Sequence, residues 1–147
     1  MGETPHDSLA QPINIRYDFK SVSDEKTVSK IVRFTETSLP ALFNLALSDL
    51  MDDGAESDMN VTNNNDMRTV LATVIRIVDN FFTKFPGVAV TFRGSDERRT
   101  RLYRIVIDRE LVSIQQRYQV FGEYSDGRLE LFEPGADYKR FIIRLIP

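Results

Sequence analysis

Between Met67 and Phe85 the residues Met67, Val70, Leu71, Val74, Ile75, Val78, Phe81, Phe82 and Phe85 recur at spacings of three and four. Only an α-helix gathers such positions on one face, so this segment predicts an amphipathic helix whose apolar stripe must be buried against another element. Asn63 to Asp66 offers its N-cap, and Pro86-Gly87 ends it. Upstream, Ile13, Ile15, Tyr17 and Phe19 alternate with Asn14, Arg16, Asp18 and Lys20, the period of two of a half-buried strand. The polar group Ser21 to Lys26 permits a hairpin. Thr27 to Thr35 reads as the returning strand, with Lys30 interrupting the alternation as at a bulge or an edge. A third strand follows Pro40, with Phe43, Leu45 and Leu47 on one face.

Downstream, Val88, Val90 and Phe92 alternate as a fourth strand. A second helix follows Gly94-Ser95, with Leu102, Tyr103, Val106, Ile107 and Ile114 on its apolar face. Tyr118 to Tyr124 and Arg128 to Phe132, joined by Ser125-Asp126-Gly127, form a hairpin, and Phe141 to Ile146 supplies a last strand. The order βββαβαββ(β) predicts an α+β fold, a mixed or antiparallel sheet of six to seven strands with two main helices packed on it. Residues 1–11, polar and carrying Pro5, read as a flexible N-terminal arm, and residues 12–147 as a single α+β domain.

Composition narrows the chemistry. At 147 residues and 41% hydrophobic, the chain suits one core. It holds no apolar run near the roughly 18 residues that span a bilayer, and Met1 to Pro5 lacks the features of a signal peptide, so a cytoplasmic protein is expected. There is no cysteine and one histidine, His6, in the arm. Ser-His and Cys-His triads, Cys/His zinc sites and paired-histidine nucleases are therefore excluded. A net charge of −3 and the lack of an RNP-like motif argue against nucleic acid, although Tyr118, Phe121 and Tyr124 near Arg117 loosely resemble a stacking platform. Asp49, Asp52, Asp53, Glu56 and Asp58 lie in a long acidic segment, Asp49 to Asn65, whose spacing does not match an EF-hand; it reads as a solvated loop without metal. Phe81, Phe82 and Phe85 are assigned to the core rather than to a ligand pocket.

The candidate site is the basic start of the second helix, Ser95, Arg98, Arg99, Arg101, Tyr103 and Arg104. The positive end of a helix dipole disfavours arginines, so the cluster implies a partner for its charge. Arg guanidinium groups, Ser95 and the amides after Gly94 would suit a phosphate or carboxylate, either on a small anionic ligand or on an acidic protein. Ser95 is the expected N-cap. At roughly 100° per residue Arg99 falls in the apolar sector, toward the end of the fourth strand, while Arg101 and Arg104 face away. The alternative is a structural network, with Asp96 and Glu97 offsetting the charge and Arg104 paired to Asp108. A further possibility is a homo-oligomer formed through Phe141 to Ile146, whose apolar density suggests burial on both faces or pairing across an interface.

Two resemblances add expectations. Val61-Thr62-Asn63-Asn64-Asn65-Asp66 with Val70 to Val74, and Gly94-Ser95 with Arg99-Thr100-Arg101-Leu102-Tyr103-Arg104, resemble a family of small uncharacterised bacterial proteins, from about Tyr17 to Phe141. That likeness implies no activity. The element order is similar to the central and C-terminal part of the GCN5-related N-acetyltransferases, with Arg101-Leu102-Tyr103 where that family often carries a Tyr on its last helix. That likeness implies acyl-CoA as cofactor and Tyr103 as general acid. The family holds the CoA pyrophosphate on an Arg/Gln-x-x-Gly-x-Gly/Ala loop before its long helix, and this chain has Asp58 to Asp66 there instead.

Overall fold

The computed structural model describes residues 13–22, 26–59 and 64–147, with 64–66 described by backbone alone. The expected arm, the first hairpin turn and the Asn63 cap lie outside the described residues or at their margin. The elements are β1 (Asn14–Val22), β2 (Thr27–Glu36), β3 (Leu42–Leu50), β4 (Glu56–Asp58), α1 (Asn64–Lys84), β5 (Ala89–Phe92), α2 (Glu97–Ile114), β6 (Tyr118–Glu123), β7 (Leu129–Leu131) and β8 (Arg140–Leu145). They form the α+β fold read from the sequence. The sheet runs β1-β2-β3-β5-β8-β6-β7, with β4 beside β3. Among the described residues only β3 and β5 pair in parallel, and α1 lies in the crossover between them.

Inward residues of the strands and the apolar faces of both helices join one core. Phe81 of α1 stacks on Phe34 of β2 at 4.0 Å between ring centroids and meets Phe43 of β3 edge-on at 5.1 Å. The phenylalanines at helical spacing are therefore core, as their periodicity indicates.

Three sequence expectations are corrected. β2 holds unbroken register through Lys30, whose cross-strand partner is Asp49. Lys30 Nζ lies 2.6 Å from Asp49 Oδ1, with both side chains under 10% exposed. Lys30 thus marks neither a bulge nor an edge but one half of a buried ion pair. The acidic loop is correspondingly shorter. Asp49 belongs to β3, Asp53 Oδ1 accepts from the Ala55 amide in a turn, and Glu56 pairs with Arg33 as the chain returns in β4. Among the described residues no group of three or more potential ligands gathers around a metal-sized space. Finally, β8 is hydrogen-bonded on one side to β5 and on the other to β6. Phe141 and Ile143 enter the core from this interior strand, and its paired residues offer no free edge to another copy.

Candidate functional site

The parallel pair β3 and β5 matches from Leu42↔Ala89 to Asn44↔Thr91 and then separates. β3 continues and takes β4 on that side from Ser48 to Leu50, while β5 ends at Phe92 and the chain turns through Arg93 and Gly94 into α2. A cleft of about 440 Å³ opens where they part, at the carboxyl end of β5, a position where open α/β sheets characteristically place ligands. One wall carries Arg93, Gly94, Ser95, Arg99, Tyr103 and Arg140; the other is Asn44 to Ser48 with Glu56, Ser57 and Asp58.

Gly94 makes the turn into α2 possible. A Cβ there would stand 2.4 Å from the Thr100 amide nitrogen and 2.6 Å from Arg99 Cβ. Instead the Gly94 amide donates to Thr100 Oγ1 at 3.0 Å, and that hydroxyl donates to the Asp96 carbonyl. The N-cap is Asp96, not Ser95, and its carboxylate accepts from the Arg99 amide at 2.8 Å. That bond, then the nearby Arg99 charge, holds the Asp96 carboxyl below its ordinary range. The helix start therefore carries its own anion, and the Gly94, Arg99 and Thr100 amides are engaged within the chain.

Arg99 does turn inward, to 18% side-chain exposure. Its Nη1 donates to Asp96 Oδ2 and its Nε to the Met59 carbonyl, both at 2.6 Å. It lines the cleft, but its principal contacts tie the segment before α1 to the first turn of α2. Arg98 and Arg101 are exposed and lie outside the cleft wall. Arg104 is about as buried as Arg99, at 19% side-chain exposure, and pairs with Asp137 at 3.2 Å rather than with Asp108.

Ser95, Arg99 and Tyr103 are thus brought together, and Arg98, Arg101 and Arg104 are not. Arg93 and Arg140 join the wall without any sequence signal, because they become neighbours only when β8 inserts beside β5. Phe92↔Phe141 is the last matched pair before them. Arg140 is half-buried, and its Nη1 donates to Thr91 Oγ1 at 3.1 Å. Burial, then the neighbouring Arg93 charge, lowers the Arg140 pKa, opposed by the charge of Glu123, its register partner on β6. Among the described residues neither Arg93 nor Arg140 is ion-paired. The residues of the loosely imagined stacking platform are separated: Tyr118 is buried and donates to Asp79 at 2.8 Å, and Tyr124 packs against Tyr138.

Tyr103 is 5% exposed, and among the described residues its hydroxyl has no hydrogen-bond partner. Burial raises its pKa to about 12 against the lowering effect of Arg99, and burial with the bond to Asp79 raises Tyr118 to about 12. In both cases the folded chain holds the proton more tightly than the unfolded chain, whose tyrosines ionise near the ordinary value of about 10. This part of the stability is intact below pH 10 and is lost as pH rises toward 12. Melting temperature is expected to fall across that window, with the slope reduced in Tyr103→Phe. An unchanged slope in that variant would count against a tightly held Tyr103 proton.

The sequence profile of a family of unknown function matches residues 5–146. No curated protein and no solved structure matches the chain.

Proposed function

We infer that this chain, which belongs to the family of unknown function DUF6934, is a binding domain that takes the anionic group of a small phosphate-bearing ligand in the cleft between β3 and β5. The observation that carries the reading is the Arg93 and Arg140 pair. Arg93, exposed just past the end of β5, lies beside the half-buried Arg140 at the start of β8 at a concave site, with no carboxylate bonded to either among the described residues. Like charges held together in a partly desolvated place are stabilised by a bound anion, and the guanidinium fork suits phosphate oxygens. A concave cleft favours a small ligand over an acidic protein surface. Ser95, Arg99 and Tyr103 supply further donors along the wall.

Inorganic phosphate and a nucleoside diphosphate, titrated calorimetrically, test the reading. Charge-assisted hydrogen bonds contribute roughly 1.5–3 kcal/mol each, so Arg93→Ala and Arg140→Ala should each weaken binding by about tenfold or more. Arg98→Ala and Arg101→Ala, outside the cleft, should leave it unchanged. Arg99→Ala should chiefly lower stability, because it removes the link to Met59 and Asp96. Equal losses in all the arginine variants would mean diffuse surface attraction and would sink the assignment.

A second reading, an acyl-CoA-dependent transferase, is favoured by one observation, the unpartnered Tyr103 hydroxyl on the last helix beside the diverging parallel strands. Acetyl-CoA in the same titration distinguishes them. An absence of heat at millimolar cofactor would end the transferase reading and leave the phosphate reading standing.

A further inference from the structure

A second, larger cleft of about 670 Å³ lies between α1 and α2 over the sheet. Leu71, Val74 and Val78 of α1 face Val106, Ile107 and Ile114 of α2 across it, above apolar residues of β3, β6 and β8. Each of those six side chains is 8% exposed or less. Protein interiors are close-packed, with few voids larger than a water molecule, and a void lined by aliphatic groups gives water no hydrogen-bond partners. The volume falls within the roughly 300–1,000 Å³ typical of small-molecule sites.

The mouth is charged. Arg68 pairs with Glu110 at 3.4 Å and Arg117 with Asp79 at 2.9 Å. Arg76, also at the mouth, donates to the Thr73 hydroxyl at 3.3 Å and has no carboxylate partner among the described residues. Three cations thus face two anions around an apolar interior. A ligand that matches both features is an unbranched hydrocarbon chain ending in one negative charge.

We propose that the cleft between α1 and α2 binds a medium-chain fatty-acid anion, its chain lying between the helices and its carboxylate meeting Arg76 at the mouth. This site is separate from the Arg93 and Arg140 cleft, so each stands or falls without the other.

Decanoate, hexanoate and decanol are the probes, titrated into the full chain by calorimetry while the leucine, isoleucine and valine methyl resonances are followed by NMR. Saturable one-to-one binding of decanoate is expected, with shifts centred on Leu71, Ile107 and Ile114. Each methylene withdrawn from water strengthens binding by roughly three- to fourfold, so decanoate should bind about a hundredfold more tightly than hexanoate. Arg76→Ala should weaken decanoate about fivefold and leave decanol unaffected, as expected for one exposed charge contact. Ala72 is exposed at the mouth, so Ala72→Trp should leave the fold intact and abolish binding of both. Any of four results would overturn the proposal: no saturable binding, no dependence on chain length, full affinity in Ala72→Trp, or equal loss of decanol and decanoate in Arg76→Ala. Ligand-free methyl shifts that grow with protein concentration would assign the cleft to a second copy of the chain and overturn it equally.

Discussion

Asp49→Ala is expected to lower unfolding free energy by about 3–5 kcal/mol, read as a reduced urea midpoint, because it leaves the Lys30 ammonium buried without its carboxylate. Lys30 is 2% exposed and faces Asp49 directly across β2 and β3. Removing one partner of a buried pair costs far more than the pair itself contributes, since the remaining charge keeps its desolvation penalty. The double variant Lys30→Met/Asp49→Leu therefore should recover most of the loss, replacing both charges by apolar groups of similar size on the core face of the sheet. If Asp49→Ala were as stable as the parent, water would be reaching Lys30 and the pair would not be buried in solution.

The same pair explains why some of the fold was legible in the sequence and some was not. Period-two and helical spacings report which face of an element is buried, and they located the three-strand opening, both helices and the β6 and β7 hairpin. Lys30 and Asp49 each look like a defect in such a pattern. They make sense only together, and register across two strands is not written in either one. The candidate site divides in the same way. Arg99 was legible because its helical angle is a local property. Its partners were not, since the Met59 carbonyl lies 40 residues away and the N-cap, expected at Ser95, is Asp96. Arg93 and Arg140 were invisible because chain order does not reveal that the last strand enters the sheet between β5 and β6. The density of Phe141 to Ile146 marked a strand but left burial and pairing across an interface both open. The position between β5 and β6 pairs both edges of the strand, while its faces alternate, Phe141 and Ile143 buried and Arg144 exposed.

Gly122→Ala is expected to lower stability by about 3 kcal/mol and to disturb the Arg140 side of the β3/β5 cleft. A Cβ on Gly122 would stand 2.3 Å from the Tyr138 ring, which is 1% exposed and wedged against Phe132 and Tyr124. The ring has nowhere to go. Its hydroxyl donates to Glu130 at 2.6 Å and accepts from the Glu133 amide at 2.9 Å, and Glu130 also accepts from Tyr124. Relief of the clash would therefore require moving either β6 or the whole segment from Glu133 to Tyr138. That segment leads directly into β8, where Lys139 donates its amide to Glu123, and Gly122↔Phe141 and Glu123↔Arg140 fix the register. Shifting Tyr138 displaces Arg140, so the loss should appear both as a lower denaturation midpoint and as weaker phosphate binding among molecules that remain folded. Tyr138→Leu, which narrows the wedge, should cost less in the Gly122→Ala background than in the parent, giving a favourable coupling in the double-mutant cycle. Strict additivity of the two substitutions would show that the glycine and the ring do not meet and that Arg140 is positioned by some other contact.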